Sequence, residues 1–181
     1  MSILDKVVAA VTPPESEEAR LKARAKARAS ASKGDWLSMV LDHHEQVEAA
    51  FTAVKAAADP TSRIRTLTHL STLLTGHSIA EEGALYPAIA KADEKGHATK
   101  AYAEQAAAKL QLGLLADLPP MSQEFMDKLE HIQGAVAHHV YEEESSWLLD
   151  LKTKTAAAQQ VKLTQRYQEQ FSRYMGDDSD I

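Results

Sequence analysis

The chain contains no cysteine. Disulfides, thiolate zinc sites and cysteine nucleophiles are thereby excluded, and the composition fits a reducing compartment. No apolar run approaches the roughly 18 to 20 residues that span a bilayer. The opening stretch "MSILDKVVAAVTPP" is too short and too weakly hydrophobic for a signal peptide. A cytoplasmic location is therefore expected, with no membrane partner. Glycine is scarce, at seven residues in 181, and no G-x-G-x-x-G cluster is present to cradle a nucleotide. Aromatics make up only 6%. Sustained period-2 alternation is missing, so no strand is predicted. The net charge of −6 gives no general attraction to nucleic acid. Neither a Ser-His-Asp grouping nor a large substrate pocket is foreseen.

What remains is rich in Ala, Leu, Glu, Lys and Gln, which favour helix. Breakers divide the chain into helical segments at about 12–34, 35–58, 61–89, 97–116, 123–150 and 153–175, followed by a frayed tail "GDDSDI". Thr12 and Glu15 have capping-box spacing at the first start. Short connections between the four central segments predict an antiparallel four-helix bundle over 35–150. An N-terminal helical extension (1–34) and a C-terminal helix and tail (151–181) would flank it. The extension interleaves Arg20, Lys22, Arg24, Lys26 and Arg28 with alanines. Without interleaved aromatics it reads as a solvated helix packed through its alanine face, rather than a nucleic-acid arm.

Eight histidines are the compositional oddity. In "VLDHHEQVEAAF", His44 falls on the stripe of Val40, Val47 and Phe51, while His43 is rotated off it by about 100°. In "HSIAEEGALYP", His77 and Glu81 lie one turn apart on an apolar stripe. In "HHVYEEESSWLL", both His138-Glu142 and His139-Glu143 have that spacing. The face defined by Phe125, Leu129, Ile132, Val136 and Trp147 selects His139 and Glu143. A single histidine on such a stripe is ordinarily a hydrogen-bonded core residue. Three inward histidines with two inward carboxylates are different. Uncompensated, they would destabilise a core by several kcal/mol, of order 1–5 per group. A buried metal site resolves the cost. Mixed imidazole and carboxylate ligands in a helical bundle favour two irons or two manganese ions over zinc.

This arrangement resembles the hemerythrin-like, or HHE, family over about 35–150. The matching motifs are H-x-x-V-x-x-x-F at His44–Phe51, H-x-x-x-E-E-x-x-L-Y-P at His77–Pro87 and H-V-x-x-E-E at His139–Glu144. The resemblance implies an all-α bundle holding two oxo- or hydroxo-bridged non-haem irons. His44, His77 and His139 would be terminal ligands, and Glu81 and Glu143 bridging carboxylates. The third bundle helix departs from the pattern, with Gln105 where a histidine is expected. His97 or Tyr102, or both, are the candidate replacements. The implied partner is a small diatomic or peroxide ligand (oxygen, hydrogen peroxide or nitric oxide), bound or turned over in redox or nitrosative stress with a redox partner of unknown identity. No catalytic residue beyond the ligands is called for. The alternative is an iron or oxygen sensor that signals to a protein partner through segments 12–33 and 151–175. On that alternative, the flanks could be removed without loss of iron.

Overall fold

The computed structural model describes residues 15–92 and 95–176, and among them every regular element is helical. Helix α1, Glu17–Ser30, starts at Ser16, whose side chain accepts from the Ala19 N–H. The cap is thus Ser16, not the predicted Thr12–Glu15 pair. Thr12 lies outside the described residues, and Glu15 instead pairs with His138 Nδ1 at 2.8 Å. Helix α2, Trp36–Ala56, is capped by Asp35, and α3, Pro60–Ala84, by a reciprocal Asp59–Ser62 box with proline in its first turn.

The predicted helix 61–89 is broken at Leu85, and the short α4, Tyr86–Lys91, follows. Pro87 carries no N–H and cannot continue the ladder. Two side chains serve the carbonyls at the break: Tyr102 Oη donates to Glu82 O at 2.9 Å, and Arg166 Nη2 to Gly83 O at 3.2 Å. Helix α5 is Lys95–Leu115 and α6 is Gln123–Glu142, capped by Ser122. A π-turn, Glu143–Trp147, leads into α7, Leu148–Lys154. The last helix, α8, is Ala157–Met175 rather than 153–175, because Thr155 is extended and ends α7. Only Gly176 of the tail is among the described residues.

Helices α2, α3, α5 and α6 with its continuation form the bundle. α8 packs along α3 and α2, and α1 lies against α2 and the π-turn. Glycines on α3 let α8 come close. A Cβ at Gly83 would lie 3.0 Å from Gln170 Cγ, and one at Gly76 2.9 Å from Met175 Sδ. α1 packs through Ala23 and Ala27 as its sequence suggests. Two of its three arginines are committed to the bundle, Arg24 to Glu48 and Glu144 and Arg28 to Asp42 and Glu45.

Two apolar clusters make the core. One gathers Trp36, Leu37, Leu41, Leu85, Trp147 and Tyr167; the other gathers Val47, Phe51, Leu70, Leu74, Phe125 and Leu129. On each bundle helix, the buried side chains between the two sets are polar. They are His43 and His44 on α2, His77 and Ser78 on α3, Gln105 on α5, and Glu143 and Glu144 after α6, all buried. A buried polar layer therefore crosses the bundle at its waist.

Candidate metal centre

His44, His77, Glu81 and Glu143 each offer a ligand atom within 4.8 Å of the others, and all four are buried. His44 Nε2 lies 3.2 Å from Glu143 Oε2 and 3.9 Å from Glu81 Oε1. His77 Nε2 lies 3.3 Å from Glu81 Oε2. His139 joins from α6, its Nε2 3.4 Å from Glu143 Oε1. The two oxygens of Glu143 are thus divided between His44 and His139. One end of the layer holds two imidazoles, His44 and His77, with ring centroids 4.9 Å apart. The other end holds one imidazole beside a phenol, since Tyr86 Oη sits 3.2 Å from His139 Nε2.

Each inward imidazole is aimed by a partner on its other nitrogen. His44 Nδ1 pairs with Glu144 Oε1 at 2.9 Å, His77 Nδ1 with Tyr167 Oη at 3.1 Å, and His139 Nδ1 with Glu104 Oε2 at 2.9 Å. Such partners fix ring orientation and leave Nε2 facing the centre. The π-turn explains how neighbouring Glu143 and Glu144 both serve the site. Leu148 N–H bonds back five residues to Glu143 O, which widens the turn so that both carboxylates are buried. Glu142, outside this turn, pairs instead with Lys100 and His138.

His97 and Tyr102 are not brought to the cluster. His97 is eight residues before Gln105, about 12 Å along the helix axis, and stacks on Trp147 at 5.3 Å between centroids. Tyr102 is 39% exposed and spends its hydroxyl on the Glu82 carbonyl at the α3 break. Gln105 itself points inward, its Nε2 donating to Glu81 Oε2 at 2.5 Å and to Tyr86 Oη at 2.6 Å. His43, rotated off the stripe and expected at the surface or behind the ligands, is buried behind them. It stacks on Phe171, and its Nδ1 shares the Tyr167 hydroxyl at 2.8 Å. His69 and His131 are exposed.

The residue that sequence reasoning missed is Tyr86. Fully buried, its hydroxyl lies 3.0 Å from Glu81 Oε2 and 3.0 Å from Glu143 Oε1. The only signal was its place in "LYP", where the helix break turns it back over the preceding turn. Arg24 was also missed as a site residue. Its Nε donates to both oxygens of Glu144, at 2.9 and 3.2 Å, behind His44.

The electrostatics are those of a site built around positive charge. Burial would drive His44 neutral, but the Glu143 and Glu144 carboxylates beside it prevail and raise it to about 9. Burial and the Glu143 charge push the Glu81 carboxyl up to about 8. Burial works against Glu143 as well, yet His139 and His44 hold it well below the usual carboxylate range. His77 is held well below its ordinary value, first by burial and then by the His44 charge. His44 Nε2, Glu81 Oε1 and Glu143 Oε2 have no hydrogen-bond partner among the protein groups. These are the atoms that face one another, and nitrogen and oxygen donors of this kind suit a hard to borderline divalent cation. The residues present therefore fit a bound metal.

A cavity of about 360 Å³ reaches this layer between α5 and α6, against the expectation that no sizeable pocket would form. It exists because α5 presents Ala103, Ala107 and Ala108 where larger side chains would fill the gap to Ile132, Ala135 and Val136.

Fold and site together define a helical-bundle protein with a buried imidazole–carboxylate cation site. The chain belongs to the hemerythrin HHE cation-binding domain family, whose sequence model matches residues 37–149. It is also similar to a DNA nickase of Nostoc sp. (strain PCC 7120), 28% identical over 116 residues that make up 64% of this chain and 33% of the relative. The chain thus spans about a third of the length of that curated relative. No solved structure matches it. Among the described residues, no helix is long and apolar enough to cross a membrane.

Proposed function

We propose that this is a non-haem di-iron protein that binds or reacts with oxygen, hydrogen peroxide or nitric oxide in redox or nitrosative stress. The observation that carries the reading is the set of buried, mutually facing donor atoms, three of which no protein group satisfies. His44 and His77 would hold one iron and His139 with Tyr86 the other, with Glu81 and Glu143 shared between them. When bound, the irons supply the redox-active centre for the small molecule. The chain's own groups do the rest. Glu144, Tyr167 and Glu104 orient the imidazoles. Before metal binds, the Tyr86 hydroxyl is shared between the two carboxylates, and the Gln105 amide donates to Glu81 Oε2 and keeps that carboxylate in place. The apolar walls limit water. DNA nicking is not carried over from the relative, because the chain is acidic and Arg24 and Arg28 of its basic helix are bound to carboxylates.

Iron quantitation combined with absorption spectra tests the reading. About two irons per chain are expected, with near-ultraviolet and visible bands that respond to dithionite, peroxide or nitric oxide. An iron-loaded sample that ignores all three sinks it.

A sensor role is favoured by one further observation. The flanking helices touch the site directly, α1 through Arg24–Glu144–His44 and α8 through Tyr167–His77. A change at the irons would then alter the protease susceptibility of α1 and α8 between oxidised and reduced protein. Identical cleavage in both states removes that reading.

A further inference from the structure

We propose that the outward face of α5 is the seam of an antiparallel homodimer, in which α5 of one copy packs along α5 of a second. The inference is independent of the di-iron reading, because this face points away from the metal centre. Helix α5 carries two stripes where a surface helix has one. Ala98, Ala101, Gln105, Leu112 and Leu115 are buried and face the bundle. Lys100, Ala103, Ala107, Leu110, Leu114 and Asp117 repeat the same alternating spacing of three and four, two positions further on. Two positions turn a helix by about 200°, so the second stripe lies on the opposite side. That side of a surface helix is ordinarily charged or polar. Here the stripe holds no charge between Lys100 and Asp117, and Leu110 is 48% and Leu114 45% exposed. Apolar residues exposed in a continuous row, rather than scattered singly, mark an interaction surface.

The order of residues along the stripe says what covers it. Strict spacing of three and four is the seam of a two-helix coil. Let the second helix run antiparallel, with the two-fold axis passing between Ala108 and Lys109. Each Leu110 then meets Ala107 of the other copy, and each Leu114 meets its Ala103. Leucine faces alanine at every level, so knobs meet holes and the helices stay evenly spaced. Lys100 of each copy falls beside Asp117 of the other, so opposite charges close both ends. The Lys100 side chain is drawn toward Glu104 and Glu142 of its own chain, yet is 43% exposed, and its ammonium has three donors to share. A parallel pair does worse throughout. It sets lysine against lysine and aspartate against aspartate, and it opposes alanine to alanine at one end and leucine to leucine at the other. The antiparallel contacts are reciprocal, as a two-fold interface requires. They run over 100–117, about 26 Å of helix.

Sedimentation velocity of the full chain, metal-loaded and metal-free, tests the proposal. One helix pair makes a small interface, so a monomer–dimer equilibrium with Kd of about 1–100 μM is expected in both states. Leu110→Glu and Leu114→Glu each bury a charge in the seam and should weaken it about tenfold or more, with helicity and metal content unchanged. Lys100→Asp or Asp117→Lys alone opposes like charges at both ends and should weaken it about fivefold. An equal mixture of these two variants should regain the wild-type affinity as a heterodimer, since each end recovers an opposite pair. In a parallel dimer neither variant alone would be weaker than wild type. A chain that stays monomeric up to about 300 μM overturns the proposal; if that monomer floats with phosphatidylcholine vesicles, the face belongs to a lipid surface instead. A dimer that tolerates both leucine variants overturns it as well, because the contact then lies elsewhere. A mixture no tighter than its single variants overturns the antiparallel pairing.

Discussion

Tyr86 and Tyr102 stack edge to face, 5.1 Å apart, yet only one of them reaches the centre. The Tyr86 hydroxyl touches both carboxylates, whereas that of Tyr102 closes the α3 break. Any phenolate-to-iron absorption band should therefore vanish in Tyr86→Phe and persist in Tyr102→Phe. Loss of the Tyr102 hydrogen bond should cost about 1 kcal/mol in urea unfolding. A second expectation concerns protons. With His44 raised to about 9 and Glu81 to about 8, both carry a proton at neutral pH before metal binds. A bound cation must displace them. Metal uptake at pH 7 should release these two protons and that of His139, which, against burial, the Glu143 and Glu104 carboxylates hold well above the usual imidazole range, so apparent affinity rises with pH. Calorimetry in buffers of different ionisation enthalpy counts the protons, and a pH-independent affinity would refute the assignment. Residue-scale legibility was uneven for a physical reason. Helical phase put His44 and His139 inward, and both are buried. Phase alone said nothing of depth along the axis, and so could not show that His97 lies about two turns from Gln105.

The flanking helices reach the site from outside the family-matched segment, each through a single polar side chain. Arg24 holds Glu144 behind His44, and the Tyr167 hydroxyl sits between His77 and His43. Partners of this kind are typically worth 10- to 100-fold in metal affinity. Arg24→Met and Tyr167→Phe should each weaken iron binding within that range of about 10- to 100-fold, with far-ultraviolet circular dichroism unchanged. Competition with a chelator measures it. Removing residues 157–175 should cost the iron as well, contrary to the expectation, attached to the sensor alternative, that the flanks are dispensable to it. Unchanged affinity in both point variants would mean that the flanks only cover the bundle. The helices themselves were legible from stripes, caps and breakers, because burial on one face writes a period into the chain. Two departures from that period were not. Pro87 ends α3 two residues earlier at Leu85, and the π-turn admits an extra residue per turn at Glu143–Trp147. Both occur where the site needs a side chain redirected, Tyr86 in one case and Glu144 in the other.

At the scale of the whole molecule, the polar layer divides one core from the other. On α2 the chain runs from Leu41 in one cluster through His43 and His44 to Val47 in the second, and α3 crosses in the opposite sense through His77. Buried ionisable groups without full pairing weaken a core, and a cation that meets them reverses the sign. The metal should therefore act as the joint between two hydrophobic halves, and its removal should be felt at the waist first. With free metal at about a thousand times its dissociation constant, linkage adds about 4 kcal/mol per ion, or about 8–16 °C in Tm for a chain of this length. Hydrogen exchange locates the effect. In the metal-free protein, amides near His77–Glu81 and His139–Trp147 should exchange faster, while those near Leu70 and Leu129, inside the second cluster, keep their protection. Uniform acceleration across both clusters would instead mean that the metal stabilises the fold only globally. No change on chelation would show that the layer is satisfied without a cation, and the buried His/Glu set would then need another occupant.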